Sequence, residues 1–265
     1  MLQGIKLLLS SFINVFYYLE SSSSLLGQVI LLMTKLNAAE LNTYQLFSCL
    51  TIEQCSMLLD RHFVSNHPAE QVFLMEEEWE KTIFILLSGL AKVRTYTADG
   101  IEVVMSVLGT NDLFGEMAVL DDLPRSADVV ALTPGRVLKL RSSPFETLLH
   151  KEAAFALTIA KLEASRLRDL NLRFALHTSD ATSRILNSLA YLARKSSINN
   201  DSLAFIPPLA QKELGVLSGS SRETTSRVIN KLKNREILED NKGSLRITSL
   251  EPLIKRSLIP VENYK

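Results

Sequence analysis

Only two cysteines occur in 265 residues, Cys49 and Cys55, both in one apolar stretch. A zinc or iron–sulfur site needs more ligands than this pair supplies. Both read as core or half-exposed thiols of a reducing compartment, which places the chain in the cytoplasm. The four histidines, His62, His67, His150 and His177, form no recognisable catalytic or metal motif, and no nucleophile signature appears. Neither a metal nor an enzymatic activity is expected. Net charge is missing too, since 29 basic and 29 acidic side chains cancel. The whole-chain figure therefore offers no pointer to nucleic acid. No apolar run reaches the roughly eighteen residues that a spanning helix needs, so no membrane partner is expected.

What is present is ordinary for a soluble fold: 46% hydrophobic and 22% charged residues, with room for one large domain or two ordinary ones. Charge is unevenly spread. Residues 180–265 hold 14 Lys and Arg against 9 Asp and Glu, a net of +5, which leaves −5 for residues 1–179. An anionic partner is expected for the C-terminal third. Residues 1–32 are apolar, sparsely charged and interrupted by four serines, with no small-x-small cleavage signal. Translation is expected to begin at Met33, which makes residues 1–32 a poorly ordered extension or a misplaced start.

From residue 36 to 62 the pattern is helical, with Thr51 as N-cap and Gln54 as its capping-box partner. A strand-rich region follows. Short apolar runs at 72–74, 83–87, 91–96 and 102–108 are punctuated by Gly89 and by Asp99-Gly100, a hairpin signal. Residues 127–141 supply closing strands around Pro134-Gly135. Several short strands with regular turns suggest a β-barrel or roll.

Within that region, residues 113–132 read LFGEMAVLDDLPRSADVVAL. Gly115, before a short helical start, lets a ligand approach the backbone and leaves N–H groups free for it, those of Glu116 and Met117 among them. Arg125, nine residues after Glu116, can return over the same pocket and pair with a phosphate. Glu116 would repel a phosphate, so it makes sense as an acceptor from sugar hydroxyls, and Ser126 can donate one neutral hydrogen bond. Together they could hold a ribose-phosphate. The same residues also suit a turn closed by a surface ion pair.

Ser143-Pro144 reads as a cap and first turn for a helix continuing to about His177. Within it Leu157, Ala160, Ala164, Leu167, Asn171 and Phe174 are spaced 3, 4, 3, 4, 3, the seam of a two-stranded coiled coil and hence a homodimer contact. The alternative is an amphipathic helix packed on its own barrel. Asn171 on that seam could fix register or face a bound base. After Asp180 another domain opens. Leu209, Leu214 and Leu217 suit the inner face of one short helix, Gly219 the turn, and Ser221 the cap of a second helix whose buried face is Val228, Ile229 and Leu232. That is a helix-turn-helix. Arg222, Glu223 and Arg227 stand at the start of the second helix, where major-groove base edges would lie; Arg suits guanine and Glu suits cytosine. A turn at 240–243 and a strand at 245–248 would add a wing.

SSRETTSRVINKL together with FGE and PRSA resembles the CRP/FNR family of bacterial transcription regulators, closest to its catabolite-activator branch, over roughly residues 46–250. The resemblance implies an α+β fold: an effector-binding β-roll over 33–143, a dimerisation helix over 144–178, and a winged helix-turn-helix over 179–265. By resemblance Gly115 and Glu116 face ribose and phosphate, and Arg125 and Ser126 hold the cyclic phosphate of cAMP. Lys212, Ser221 and Thr224 fall at backbone-phosphate contacts, and Arg222, Glu223 and Arg227 at base-reading positions. The partners implied are palindromic double-stranded DNA, a second copy of the chain, and RNA polymerase. One departure stands out: the Thr-Ser pair that touches adenine in cAMP-binding members is replaced here by Leu170-Asn171, or Asp169-Leu170 with the gap placed earlier. A regulator of this fold with a different effector, or none, is the alternative.

Overall fold

The structure, a computed structural model, describes residues 36–259 apart from residue 198. Residues 1–32, expected to be an extension or misplaced start, lie outside the described residues. The helical stretch expected over 36–62 is two short helices, α1 (Ala38–Asn42) and α2 (Ile52–Leu58). Thr51 forms the capping box with Gln54, so two of the orphan N–H groups at the start of α2 are satisfied reciprocally. Cys55, on the inner face of α2, is buried, and Cys49 is exposed.

Eight strands follow: β1 (Phe63–His67), β2 (Val72–Leu74), β3 (Thr82–Ser88), β4 (Ala91–Tyr96), β5 (Glu102–Leu108), β6 (Leu113–Phe114), β7 (Asp128–Ala131) and β8 (Gly135–Arg141), with the short helix α3 (Met117–Leu120) between β6 and β7. They pair antiparallel in two four-stranded sheets, β1-β8-β3-β6 and β2-β7-β4-β5. Side chains alternate along a strand, and β3 uses both faces. Phe84 and Leu86 join Leu74, Leu108, Phe114 and Val129 in one cluster, with Phe84 stacked on Phe114 at 5.1 Å. Ile83 and Ile85 pack with Phe47, Leu138 and Phe145 in another. The Ile-Phe-Ile-Leu run of β3, residues 83–86, is therefore apolar throughout because both of its faces are covered.

The long helix expected from Phe145 to His177 is broken once. Helix α4 (Ser142–Lys151) ends at Glu152, whose backbone is extended, and α5 (Ala153–Ala175) continues into a 3-10 turn at Leu176–Thr178. The break brings Phe145 of α4 edge-on to Phe155 of α5 at 5.2 Å. In one straight helix, ten residues would separate those rings by about 15 Å. Gln54 donates to Glu152 at 2.7 Å across the corner. Ser143 is not a cap: the helix starts at Ser142 straight from β8, with Arg141 in the cap position and no side-chain cap bond.

The C-terminal domain comprises α6 (Ala181–Ser196), α7 (Gln211–Leu217), α8 (Arg222–Asn234), the hairpin of β9 (Leu238–Asn241) and β10 (Ser244–Ile247), and α9 (Glu251–Ile254). Asp180 caps α6 and Ser221 caps α8. Gly219 takes the left-handed φ of +58° in the turn between α7 and α8. Ile185, Leu189, Leu214, Val228, Ile229, Leu232 and Ile247 fill the core, which continues onto Leu90 and Val107 of the roll. The Tyr191 hydroxyl accepts from the Val107 N–H at 3.2 Å, and Lys92 of β4 donates to Glu213 of α7 at 2.6 Å. The roll thus holds the first helix of the helix-turn-helix directly.

Candidate functional site: an effector pocket and a reading helix

A cavity of about 490 Å³ opens between the roll and α5. Its lining brings together five residues singled out from the sequence: Gly115, Glu116, Met117, Arg125 and Ser126. Gly115 has φ +81°, and a Cβ there would lie 2.7 Å from the Thr82 carbonyl oxygen and 2.9 Å from Arg125 Nη1. The arginine needs that missing atom. Its Nη1 donates to Gly115 O at 2.6 Å and its Nη2 to Thr82 O at 2.8 Å. Arg125 is 4% exposed and forms no salt bridge among the described residues, and its buried Nε has no hydrogen-bond partner. Burial lowers the Arg125 pKa, with Glu80, Glu116 and Glu78 acting the other way. A desolvated cation with a spare donor calls for an anion. Ser126 stays exposed, its hydroxyl 3.5 Å from Met117 Sδ.

Glu116 is 2% exposed and is held by a residue the sequence reading missed. Arg166 of α5 donates to Glu116 Oε1 at 2.6 Å and to Glu163 Oε1 at 3.0 Å, and its Nη2 binds the Leu113 carbonyl. Glu116 Oε2 and Arg166 Nε are buried without partners. Burial pulls Arg166 down, but Glu116, Glu163 and Asp112 outweigh it and leave its pKa raised. Glu163 is pushed up to about 7, by burial first, against Arg166 and with Glu116 adding. One unfilled acceptor and two unfilled donors thus belong to residues that line one cavity, a residue set that fits a ribose-phosphate: hydroxyl donor toward Glu116, anionic oxygens toward the arginines.

The signal for Arg166 was available. Glu163, Arg166, Leu167 and Leu170 fall on one helical face and all line the cavity, but a Glu-Arg pair three apart reads as a solvated ion pair. Asn171, offered for the base, is exposed and is not part of this lining. One residue further along a helix turns the side chain by about 100°. Leu167 and Leu170, with Leu74, Val93 and Leu108, give that side of the pocket an apolar wall. Along the seam read from the sequence, Leu157, Ala160, Leu167, Asn171 and Phe174 are exposed and Ala164 half-buried. Phe174 reaches 81% exposure.

The second site is the outer face of α8. Glu223, Ser226, Arg227, Asn230, Lys231, Asn234 and Arg235 line one shallow groove. Arg222 and Lys212 are exposed beside it. Arg222, Glu223 and Arg227 make no side-chain hydrogen bond or salt bridge among the described residues, so their polar groups point to solvent. Ser221 Oγ is already employed, accepting from the Thr224 N–H at 3.1 Å and donating to Thr224 Oγ1 at 3.0 Å. Val228, Ile229 and Leu232 bury the other face of the helix. Thr225, fully buried, donates back to the Ser221 carbonyl at 2.9 Å. Lys231, Asn230, Asn234 and Arg235 extend the face beyond what the sequence reading named.

The sequence pattern of the cyclic nucleotide-binding domain matches residues 64–152, and that of the Crp-like helix-turn-helix domain matches residues 183–256. The chain is similar to a cyclic AMP receptor protein of Thermus thermophilus, with 27% identity over 203 residues covering 76% of this chain and 91% of that one. The fold is similar to that of FixK2 from Bradyrhizobium japonicum, at TM-score 0.64 and 16% identity over 73% of this chain and 96% of that one. It is also similar to that of the c-di-GMP responsive regulator CLP of Xanthomonas campestris, at TM-score 0.59 and 19% identity over 75% and 100%.

Proposed function

The chain belongs to the CRP/FNR family of transcription regulators, and from that premise we propose that it is a homodimeric, sequence-specific DNA-binding regulator controlled by cAMP bound in the roll. In this reading residues 33–143 bind the effector, 144–178 form the dimer helix and 179–265 bind a palindromic operator from which RNA polymerase is contacted. The observation that carries it is the lining of the 490 Å³ cavity by Arg125, Arg166 and Glu116, three buried charged residues each with one polar atom left without a partner. The volume suits a mononucleotide. Arg125 and Ser126 would hold the cyclic phosphate, and Glu116, fixed by Arg166, the ribose hydroxyl. Arg222, Glu223 and Arg227 would read bases, while Lys212, Ser221 and Thr224 would lie against backbone phosphates.

The apolar base side favours a second reading, a regulator of the same fold with another effector or none. Leu167 and Leu170 line the pocket where a polar pair would select adenine, and this fold is shared with a regulator described as c-di-GMP responsive. Calorimetric titration with cAMP and with cGMP separates the readings. Saturable binding of cAMP, lost in Arg125→Ala, is the expected result. No heat with either nucleotide in the wild-type protein would move the effector elsewhere and leave the DNA-binding claim standing.

A further inference from the structure

Behind the turn of the helix-turn-helix lies a second, smaller polar cavity of about 70 Å³. It sits where the end of α5 and its 3-10 turn meet α6 and the end of α7. Arg173, His177, Arg184, Asn187 and Ser188 line it together with the Ser218-Gly219 turn. Two of these residues are nearly enclosed, with only their polar ends left open to the space. Asn187 is 4% and Ser188 3% exposed, and neither makes a side-chain hydrogen bond among the described residues. An amide and a hydroxyl that open onto a small enclosed space are satisfied by whatever polar species fills it.

The arginines supply its sign. Arg184 spends its donors on backbone carbonyls, Ser218 O at 2.9 Å and Ser179 O at 2.5 Å among them. Arg173 donates to the Val104 carbonyl at 3.3 Å and to that of Met105, and its buried Nε has no partner. Neither arginine forms a salt bridge among the described residues. Asp180, close in the chain, pairs with Arg256 at 3.8 Å instead, and Asp169 acts on Arg173 only at a distance. Two guanidinium groups around one small cavity are thus left without a carboxylate partner, next to an amide and a hydroxyl that have no partner among the described residues. Partly desolvated cations of this kind are stabilised by an anion.

We propose that this cavity is a binding site for a small tetrahedral oxyanion, phosphate or sulfate. Its volume has room for one such ion or a few waters, not for a nucleotide. The ion would accept from the Asn187 amide and the Ser188 hydroxyl, with the Arg173 and Arg184 guanidinium groups supplying positive charge around it. Its occupancy would tie the end of the dimer helix to the turn that aims α8, so the ion would stiffen the joint between the two domains.

The test is thermal melting of the full chain in increasing sodium phosphate, against sodium chloride of matched ionic strength, with sulfate as a third series. A ligand that binds only the folded state raises the midpoint with its concentration. The midpoint should climb with phosphate and sulfate but not with chloride. The climb should persist in Arg125→Ala, which disables the effector pocket, and vanish in Ser188→Ala combined with Asn187→Leu. Should the double variant fail to fold, Ser188→Ala alone, read by 31P line broadening of added phosphate, should still weaken binding several-fold. No rise over chloride in the wild-type protein would overturn the site and leave the cavity to water. Loss of the rise in Arg125→Ala with retention in the α6 variants would overturn it as well, by placing the ion in the effector pocket.

Discussion

Glu163 carries the pH dependence at the scale of single residues. Burial chiefly, with Glu116 adding and Arg166 opposing, raises its pKa from 4.5 to about 7. A carboxyl whose folded value is raised binds its proton more tightly in the folded state. Its contribution to stability is therefore full below the unfolded value and is lost as pH climbs through about 7. The same proton matters to an anionic ligand, because ionised Glu163 adds a negative charge beside Arg166 and Glu116. Affinity for a cyclic nucleotide should fall as pH rises through 7, and Glu163→Gln should flatten that dependence in calorimetric titrations at several pH values. An unchanged slope would remove Glu163 from the site. The cavity-lining residues between Gly115 and Ser126 were legible because they are close in sequence and include a glycine with a backbone reason to exist. Glu163 and Arg166 were not, since they reach Glu116 from the far side of the pocket, across 50 residues of chain. Asn171 lies one step of helical phase outside the lining formed by a single chain, on the exposed stripe of α5.

Among the elements, α8 is fixed by local chemistry: the Ser221 cap, the buried Thr225 and the left-handed Gly219. Signals so close in sequence are what a reader of the chain can see, and the helix-turn-helix and its wing were legible almost residue by residue. The break between α4 and α5 was not. No glycine or proline marks Glu152; the corner exists because Phe145 and Phe155 reach one core, a tertiary demand. For the exposed face of α8, Arg222→Ala should weaken operator binding by about 1–3 kcal/mol and relax preference at one base position. Lys212→Ala should instead weaken binding evenly across sequences and lessen its salt dependence. Gel shifts on an operator and its single-base variants, at two salt concentrations, distinguish these outcomes. Equal loss on every sequence would make Arg222 a phosphate contact.

The whole molecule couples three surfaces through α5. One face of the helix closes the effector pocket with Glu163, Arg166 and Leu170, and its end donates from Arg173 to β5. The exposed stripe ending in Phe174 is uncovered among the described residues. An apolar stripe of this kind on a long helix suits a second copy, so Phe174→Glu with Leu157→Glu should shift sedimentation from dimer to monomer and abolish tight operator binding. A wild-type protein that sediments as a monomer would sink the dimer. Because β5 lines the pocket with Met105 and Leu108 and packs the DNA-binding domain through Val107, ligand and operator have a short physical route to one another. A ligand moves that equilibrium only by its differential affinity for the two states.

The most direct measurement is fluorescence anisotropy of a labelled operator titrated with wild-type protein, with and without saturating cAMP, and repeated on Arg125→Ala. Operator affinity should rise at least tenfold with cAMP in the wild type, about 1.4 kcal/mol of coupling, and not respond in the variant. Equal affinity with and without cAMP would contradict a cAMP-gated regulator.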